Sequence, residues 1–180
     1  AAGPNIITDG LVLHLDAANT NSYPGSGTTW TDISSKGHNG TLTNGPTFNS
    51  GDMGTIVFDG SNDTVTLSAN SDFDFGTGDL TIEGFFNKSA TTVNQTLVCS
   101  ENYYANGYNG NWIIRITNAS TIAFASYDAK SNEEYVEFSA PTNSSEWYHF
   151  AFVREGTGSN ESKFYFKGVL AGSMTVSKSL

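Results

Sequence analysis

One short segment of the sequence concentrates side chains that suit contact with a polyhydroxylated ligand. Glu101–Trp112 reads ENYYANGYNGNW. Aromatic rings are flat apolar surfaces on which a sugar ring can lie, and side-chain amides bond its hydroxyl groups. The segment therefore predicts a carbohydrate contact made by Tyr103, Tyr104, Tyr108, Asn109 and Trp112. The alternative is a long hairpin loop whose tyrosines pack on a sheet and whose asparagines form turns.

Acidic and amide residues also cluster at two predicted turns, Asp59–Asp63 and Asp72–Asp79. Calcium requires several oxygen ligands, and turns of this kind can hold them. Calcium is therefore the cofactor that the sequence favours most. The second turn lacks the terminal Glu and the helical flanks of an EF-hand loop. In the alternative interpretation, Asp59 and Asp63 stabilise their turn through hydrogen bonds from nearby backbone N–H groups, and Asp72–Asp79 is a plain turn.

The remaining titratable residues do not form a pattern typical of catalysis. Glycoside hydrolysis needs two carboxylates that share one face of a cleft. Glu133 and Glu134 are adjacent and so point to opposite faces of a strand, while Glu83 has no acidic residue two positions away. The three histidines are far apart in the sequence, without metal-ligand spacing. We therefore expect a protein that is not an enzyme.

The amino-acid composition limits the classes of molecule that the chain is expected to bind. The 180 residues carry a net charge of −10, and only 8 are basic, which disfavours nucleic acid and anionic membranes as partners.

Aromatic residues make up 13% of the chain, enough to fill the space between two sheets. The length fits one all-β domain covering residues 1–180. Cys99, the single cysteine, follows an apolar run and is expected to be buried.

Alternation of apolar and polar residues predicts strands along most of the chain. We expect a first sheet strand at Leu11–Asp16, then a hairpin in which Thr55–Phe58 and Thr64–Leu67 pair across Asp59–Asp63. Leu80–Asn87 carries aromatic residues on both faces, which favours a central strand of a sheet. Further strands are predicted at Thr96–Cys99, Asn111–Thr117, Thr121–Tyr127 and Glu134–Phe138.

The C-terminal third has the clearest pattern. Trp147–Gly156 is followed, after a polar turn, by Lys163–Gly172, and the two segments predict a hairpin. In the second segment Phe164 and Phe166 face one way, while the residues between them face the other. Regularly spaced strands with little helix predict an all-β, two-sheet antiparallel β-sandwich or jelly roll.

The order of these motifs resembles the laminin-G-like and pentraxin-like domains of the concanavalin A-like lectin/glucanase superfamily. The matching segments are Gly10–Ala17, Ile56–Leu67, Leu80–Asn87, Trp147–Gly156 and Lys163–Gly172. The polar segments Ser22–Thr31 and Gly37–Pro46 also resemble modules of phage virion proteins and bacterial surface proteins. Members of the family usually continue into two further strands after a turn like Lys167-Gly168, so we expect the last strands to be missing or formed differently.

The resemblance implies specific roles for some residues. In pentraxin-like members, an acidic and an amide residue at the turn that resembles Asp59–Asp63 share a calcium ion with a later acidic loop. Asn62 and Asp63 are the positions to which this role transfers, and the later loop has no counterpart before Leu180.

These observations predict a non-catalytic recognition module, extracellular or on a virion surface, that binds a glycan or a surface protein through loops at a sheet face or rim. Weak single sites of this kind act through multivalency. The alternative is a structural virion or fibre module that makes protein contacts without binding glycans. An exposed aromatic row favours the first function, and burial of the same residues favours the second.

Overall fold

The computed structural model describes residues 6–88, 94–100, 111–129 and 132–180. The chain divides into two compact units, Ala1–Phe73 and Asp74–Leu180. The prediction of a single domain stays a prediction. Every strand pair in the two units is antiparallel. In the described residues, no helix has the length and apolar character needed to cross a membrane.

The described residues of the first unit form five short strands and two single turns of 3-10 helix, Gly51–Met53 and Ser71–Phe73. The strands are β1 (Thr29–Trp30), β2 (Gly40–Thr43), β3 (Thr47–Asn49), β4 (Thr55–Val57) and β5 (Thr64–Thr66). One sheet has the order β1-β2-β5, and β3 pairs with β4. Tyr23 anchors this unit, because its buried ring packs against Trp30 at 6.5 Å and Phe48 at 5.5 Å between ring centroids.

The predicted strand at Leu11–Asp16 is wrong. The segment is not paired with a strand, and side chains bond its backbone instead. The N–H of His14 donates to Oδ1 of Asp32 at 2.9 Å, and the N–H of Asp16 donates to Oγ of Ser22 at 3.0 Å. These contacts satisfy polar backbone groups that would otherwise require a neighbouring strand.

The hairpin predicted across Asp59–Asp63 is also wrong, although both of its strands exist. β4 pairs with β3 and β5 pairs with β2, so the two strands flanking the turn do not pair with each other. The sequence pattern identified the extended segments correctly. Their partners lie earlier in the chain, where a turn at Asn44-Gly45, both with positive φ, separates β2 from β3.

Asp32 organises the loop between β1 and β2. Its buried carboxylate accepts hydrogen bonds from the N–H groups of His14, Ser34 and His38 and from the hydroxyl of Ser34. Its own N–H donates to Oδ1 of Asn39. Burial alone would raise the pKa of Asp32, but the four donors outweigh burial and lower it from 3.8 to about 2. The loop is therefore held by one ionised side chain.

In its described residues, the second unit is a β-sandwich of two four-stranded sheets. Its strands are β6 (Leu80–Asn87), β7 (Gln95–Cys99), β8 (Asn111–Ile116), β9 (Thr121–Ala129), β10 (Asn132–Ser139), β11 (Trp147–Arg154), β12 (Ser162–Phe166) and β13 (Val169–Met174). One sheet has the order β10-β9-β8-β7 and the other β13-β12-β11-β6. The antiparallel sandwich predicted from the alternating pattern is confirmed, including the hairpin of β11 and β12.

Aromatic rings fill the space between the two sheets. Phe124 of β9 stacks on Phe152 of β11 with ring centroids 4.1 Å apart, and Phe138 of β10 stacks on Phe164 of β12 at 4.9 Å. Gly172 makes room for this second stack, because a Cβ atom there would lie 2.9 Å from the Phe138 ring. As predicted, Phe164 and Phe166 both face this core.

Two further expectations for the second unit are wrong. β6 is an edge strand, since among the described strands it pairs with β11 alone. The aromatic residues on its two faces therefore do not indicate a central position. Cys99 is exposed, because it ends β7 on the side away from the core. Partial desolvation raises the pKa of its thiol, which makes the reactive thiolate scarcer at neutral pH.

Arg154 closes one end of the sandwich. Its side chain is buried, and its guanidinium donates to the carbonyl oxygens of Gly78 at 2.8 Å, Gly76 at 2.9 Å and Lys178 at 3.2 Å. Gly76 and Leu180 also exchange two backbone hydrogen bonds. One arginine thus ties the C-terminal segment to the start of the unit, and burial lowers its pKa.

Candidate functional site

The aromatic segment predicted from the sequence is only partly within the described residues. Tyr103, Tyr104, Tyr108 and Asn109 lie outside them. Trp112 is described and is buried in the core, where its ring packs against Phe75. Alternation along β8 turns Trp112 inward, so its assignment as a ligand contact is wrong.

The turn predicted to hold calcium uses its side chains locally. Asp63 accepts a hydrogen bond from the N–H of Asp59 at 2.9 Å, and Asp59 accepts one from the N–H of Ser61 at 2.7 Å. The amide of Asn44 donates to the carbonyl oxygen of Asn62. Among the described residues, no three or more His, Cys, Asp or Glu side chains are grouped as a metal site would require. Calcium binding at Asn62 and Asp63 stays a prediction.

A different surface combines exposed aromatic rings with ionisable groups. It is the side of the sheet β13-β12-β11-β6 that faces away from the core, and we call it the outer face. Its members alternate with the core residues along each strand: Glu83, Phe85, Trp147, His149, Ala151, Tyr165 and Leu170. Phe85 is 73% exposed and Trp147 is 42% exposed, which is unusual for side chains of this size.

Strand register brings these residues into adjacent rows. In one row, Leu170 pairs with Tyr165, Tyr165 with Ala151, and Ala151 with Glu83. In the next row, His149 pairs with Phe85, and their rings lie 4.9 Å apart at 51°. Four neighbouring strands span about 14 Å at about 4.8 Å per strand. Ala151 is the smallest residue of the outer face and lies at its centre, between larger side chains.

One ionisable pair belongs to the outer face. Nε2 of His149 lies 3.3 Å from Oε2 of Glu83, and the side chain of Glu83 is 65% exposed. Glu83 therefore has an imidazole as its neighbour rather than a second carboxylate. Carboxylate and imidazole groups beside aromatic rings are suited to bonding hydroxyl groups of a ligand that lies on the rings.

The opposite side of the sandwich contrasts with the outer face. On the outward side of β8 and β9, Ile113 and Ala125 are fully buried and form a small cluster with Tyr127. Glu133 bonds Tyr127, whereas Glu134 bonds Ser126 at 3.1 Å, so the two carboxylates face opposite ways as predicted.

Sequence reasoning missed the outer face, although the signal was present. The alternation that places Ile82 and Phe86 in the core necessarily places Glu83 and Phe85 on the other side. The same pattern places Tyr165 opposite Phe164 and Phe166.

Comparisons with known proteins agree with this architecture. The family model described as concanavalin A-like lectin/glucanases superfamily matches residues 59–180. No curated protein has a significantly similar sequence.

Two solved structures have a similar fold. One is the binding domain of botulinum neurotoxin DC in complex with rat synaptotagmin II, with a TM-score of 0.62, 16% identity, and coverage of 95% of this chain and 41% of that one. The other is botulinum neurotoxin type C, whose cell entry depends on interaction with two ganglioside molecules, with a TM-score of 0.64, 15% identity, and coverage of 94% and 40%. The chain thus spans about two fifths of each structure. Because the family model covers more than half of the sequence, the chain belongs to the concanavalin A-like lectin/glucanases superfamily.

Proposed function

We propose that the chain is a non-catalytic recognition module that binds carbohydrate on the outer face. The observation that carries the proposal is the exposure of Phe85 and Trp147 beside the Glu83 and His149 pair, on a sheet face flanked by Tyr165. Large exposed apolar side chains grouped on one surface mark interaction sites more often than chance exposure does.

The chemistry of the outer face matches a sugar. The C–H groups of a pyranose cover an aromatic ring, while its hydroxyl groups accept from or donate to Glu83 and His149. Covering on the order of 50 Å² of ring at about 25 cal/mol per Å² contributes about 1 kcal/mol for each ring. Three rings therefore give a weak single site, and several copies on one particle would raise the apparent affinity.

Membership of a lectin-containing superfamily supports a recognition role. The structurally similar neurotoxin domains interact with gangliosides or with synaptotagmin II, which are glycan and protein partners. We propose an extracellular location for the chain, on a virion or cell surface, and the likeness to these receptor-binding domains supports the extracellular part of this proposal. The tyrosines Tyr103, Tyr104 and Tyr108 and the amide of Asn109 remain a second proposed sugar contact, and calcium at Asn62 and Asp63 a proposed cofactor.

A protein contact is the second candidate function, because the start of the edge strand β13 is apolar and exposed. Leu170 of the outer face is 53% exposed, and Val169, which pairs with Phe166, is 69% exposed next to the turn at Lys167-Gly168. An aliphatic edge of this kind suits a structural contact within a virion or fibre, in which protein rather than sugar covers Phe85.

A glycan array tests the proposal with wild-type protein and the variants Phe85→Ala and Trp147→Ala. Phe58→Ala is the matched control, because Phe58 is 46% exposed and lies in the first unit. We expect each outer-face variant to reduce affinity for the best glycan roughly tenfold, since each removes one covered ring. The control should bind like the wild type.

The array also separates the alternatives. Unchanged binding by both outer-face variants would reject the outer face, and loss of binding in Tyr108→Ala alone would transfer the site to the tyrosine segment. Wild-type protein that binds no glycan, but forms assemblies that Leu170→Asp disrupts, would favour the structural function. A repeat in EDTA tests calcium, since an ion bound to the native state raises the melting temperature.

A further inference from the structure

The first unit contains a polar cleft that is separate from the outer face. Its volume is about 520 Å³, and its walls come from β1, β2, the loop between them and the segment 68–70. The lining side chains that matter here are polar: Thr29, Lys36, Asn39, Thr41, Ser68 and Asn70. The residues assigned above to sugar contact and to calcium do not line this cleft.

Hydrogen bonds and a ring contact hold the wall formed by residues 36–39 in position. The N–H of His38 donates to Asp32 at 2.9 Å, and Asn39 accepts the N–H of Asp32 at 2.9 Å. The ring of His38 packs on Phe73 at 4.9 Å, and its Nε2 lies 3.0 Å from Oδ2 of Asp72. A ligand would therefore meet side chains that are already held in position, which lowers the entropic cost of binding.

The cleft is rich in hydrogen-bond donors. Oδ1 of Asn39 accepts from Asp32, and Oδ1 of Asn70 accepts the N–H of Asp72 at 2.9 Å. Each amide oxygen already accepts one hydrogen bond, and the NH2 group of each side chain can donate to a ligand. Thr29, Thr41 and Ser68 add hydroxyl groups at the cleft lining.

Lys36 adds a positive charge. Its Nζ lies 3.9 Å from Oδ2 of Asp72, at the limit of an ion pair, and its side chain is 50% exposed. Oδ2 of Asp72 is the same oxygen that contacts His38 at 3.0 Å. The ammonium group thus retains donors for another acceptor.

From these donors we infer that the cleft binds an acidic saccharide, with its carboxylate or sulfate group on Lys36 and its hydroxyl groups on the amides and hydroxyls around it. An oxyanion only accepts hydrogen bonds, so it complements two amide NH2 groups and an ammonium. The chain has a net charge of −10, which repels anions in general, so such a ligand must be held by local contacts. This site lies in a different unit from the outer face and does not depend on it.

The test uses the full chain and three trisaccharides of one linkage: a uronic acid form, a sulfated form and a neutral form. Isothermal titration gives affinity, and the side-chain NH2 signals of Asn39 and Asn70 in ¹H–¹⁵N spectra report contact directly. We expect at least one acidic trisaccharide to bind tenfold or more tightly than the neutral one and to shift both amide signals. The acidic form that binds tighter identifies the anion.

Lys36→Gln should reduce this preference at least fivefold, because it removes the charge and leaves a neutral polar side chain. Lys167→Gln removes the same charge from an exposed lysine in the second unit and should have no effect. Equal affinity for neutral and acidic forms, or amide signals that do not move, would overturn the inference. Loss of binding in Phe85→Ala with normal binding in Lys36→Gln would assign the acidic sugar to the outer face instead.

Discussion

Replacing Asp32 with Asn should destabilise the first unit and remove a specific part of its sensitivity to acid. The carboxylate is 7% exposed and accepts four hydrogen bonds from three residues, two bonds on each oxygen. In Asn, an NH2 group replaces one of these oxygens. At least one backbone N–H group would then face another donor, and a buried donor without an acceptor costs about 1–3 kcal/mol.

The magnitude of the acid effect follows from the pKa. The folded pKa of Asp32 is about 2, against 3.8 for an ordinary Asp side chain. A folded pKa below the unfolded value means that the ionised form favours folding. At about 1.4 kcal/mol per pH unit, the ionised Asp32 contributes about 2 kcal/mol above pH 4 or so, and this contribution disappears as the pH falls through about 2.

Urea unfolding followed by fluorescence measures both effects, because Trp30 lies in the first unit. At pH 7 we expect Asp32→Asn to lower the free energy of unfolding by about 2–4 kcal/mol. Between pH 4 and pH 2 the wild type should lose about 2 kcal/mol more than the variant does. Asp9→Asn removes an exposed carboxylate of the same unit and serves as the control. Parallel loss of stability in wild type and Asp32→Asn over this range would refute the reasoning.

Two further predictions concern the second unit. Arg154→Met should lower its free energy of unfolding by about 3 kcal/mol, because the three hydrogen bonds that the guanidinium donates, each worth about 1 kcal/mol, are lost. Arg154→Lys keeps the charge without the three-way geometry and should recover only part of this in denaturant titrations. Gly172→Ala should lower the free energy of unfolding by about 1–3 kcal/mol, because the new methyl group would lie 2.9 Å from the Phe138 ring. Ser173→Ala, at the exposed neighbouring position, should be nearly neutral, and thermal unfolding measures both variants.

The sandwich was predictable from the sequence because burial imposes a period of two on each strand. β11 and β12 satisfy this period with aromatic residues on the core side. Along their hairpin, core-facing and outward-facing residues alternate as predicted. The tight turn after β12 also has a signal in the sequence, because Gly168 adopts positive φ without steric cost. In the structure Lys167 and Gly168 both have positive φ, as type I′ turns require.

Pairing partners were harder to predict than strands. Leu11–Asp16 alternates as a strand does, yet its backbone groups bond the side chains of Asp32 and Ser22. β4 and β5 flank a turn-like sequence but pair with other strands. Alternation shows that a segment is extended and has two unlike faces. It does not identify which groups satisfy the backbone, because those partners are distant in the sequence.

The candidate site was harder still, because composition does not show which side of a sheet an aromatic residue occupies. Trp112 looked available in an asparagine-rich segment and is buried, whereas Phe85 looked like part of a central strand and is exposed. Polar neighbours in sequence were misleading in the first case. In the second, the edge position of β6 follows from the sheet order, which no local pattern contains.

In the sheet β13-β12-β11-β6, residues that pack in the core alternate along single strands with residues of the proposed binding surface. Phe85 and Phe86 are adjacent residues of the same type, but Phe86 is 9% exposed and packs against Tyr148 and Phe150 in the core, while Phe85 is 73% exposed beside His149. The core side is constrained by close packing, as the fit of Phe138 against Gly172 illustrates. The outer side makes few packing demands, so its aromatic residues contribute little to folding. In the proposed function, a bound ligand covers these exposed rings.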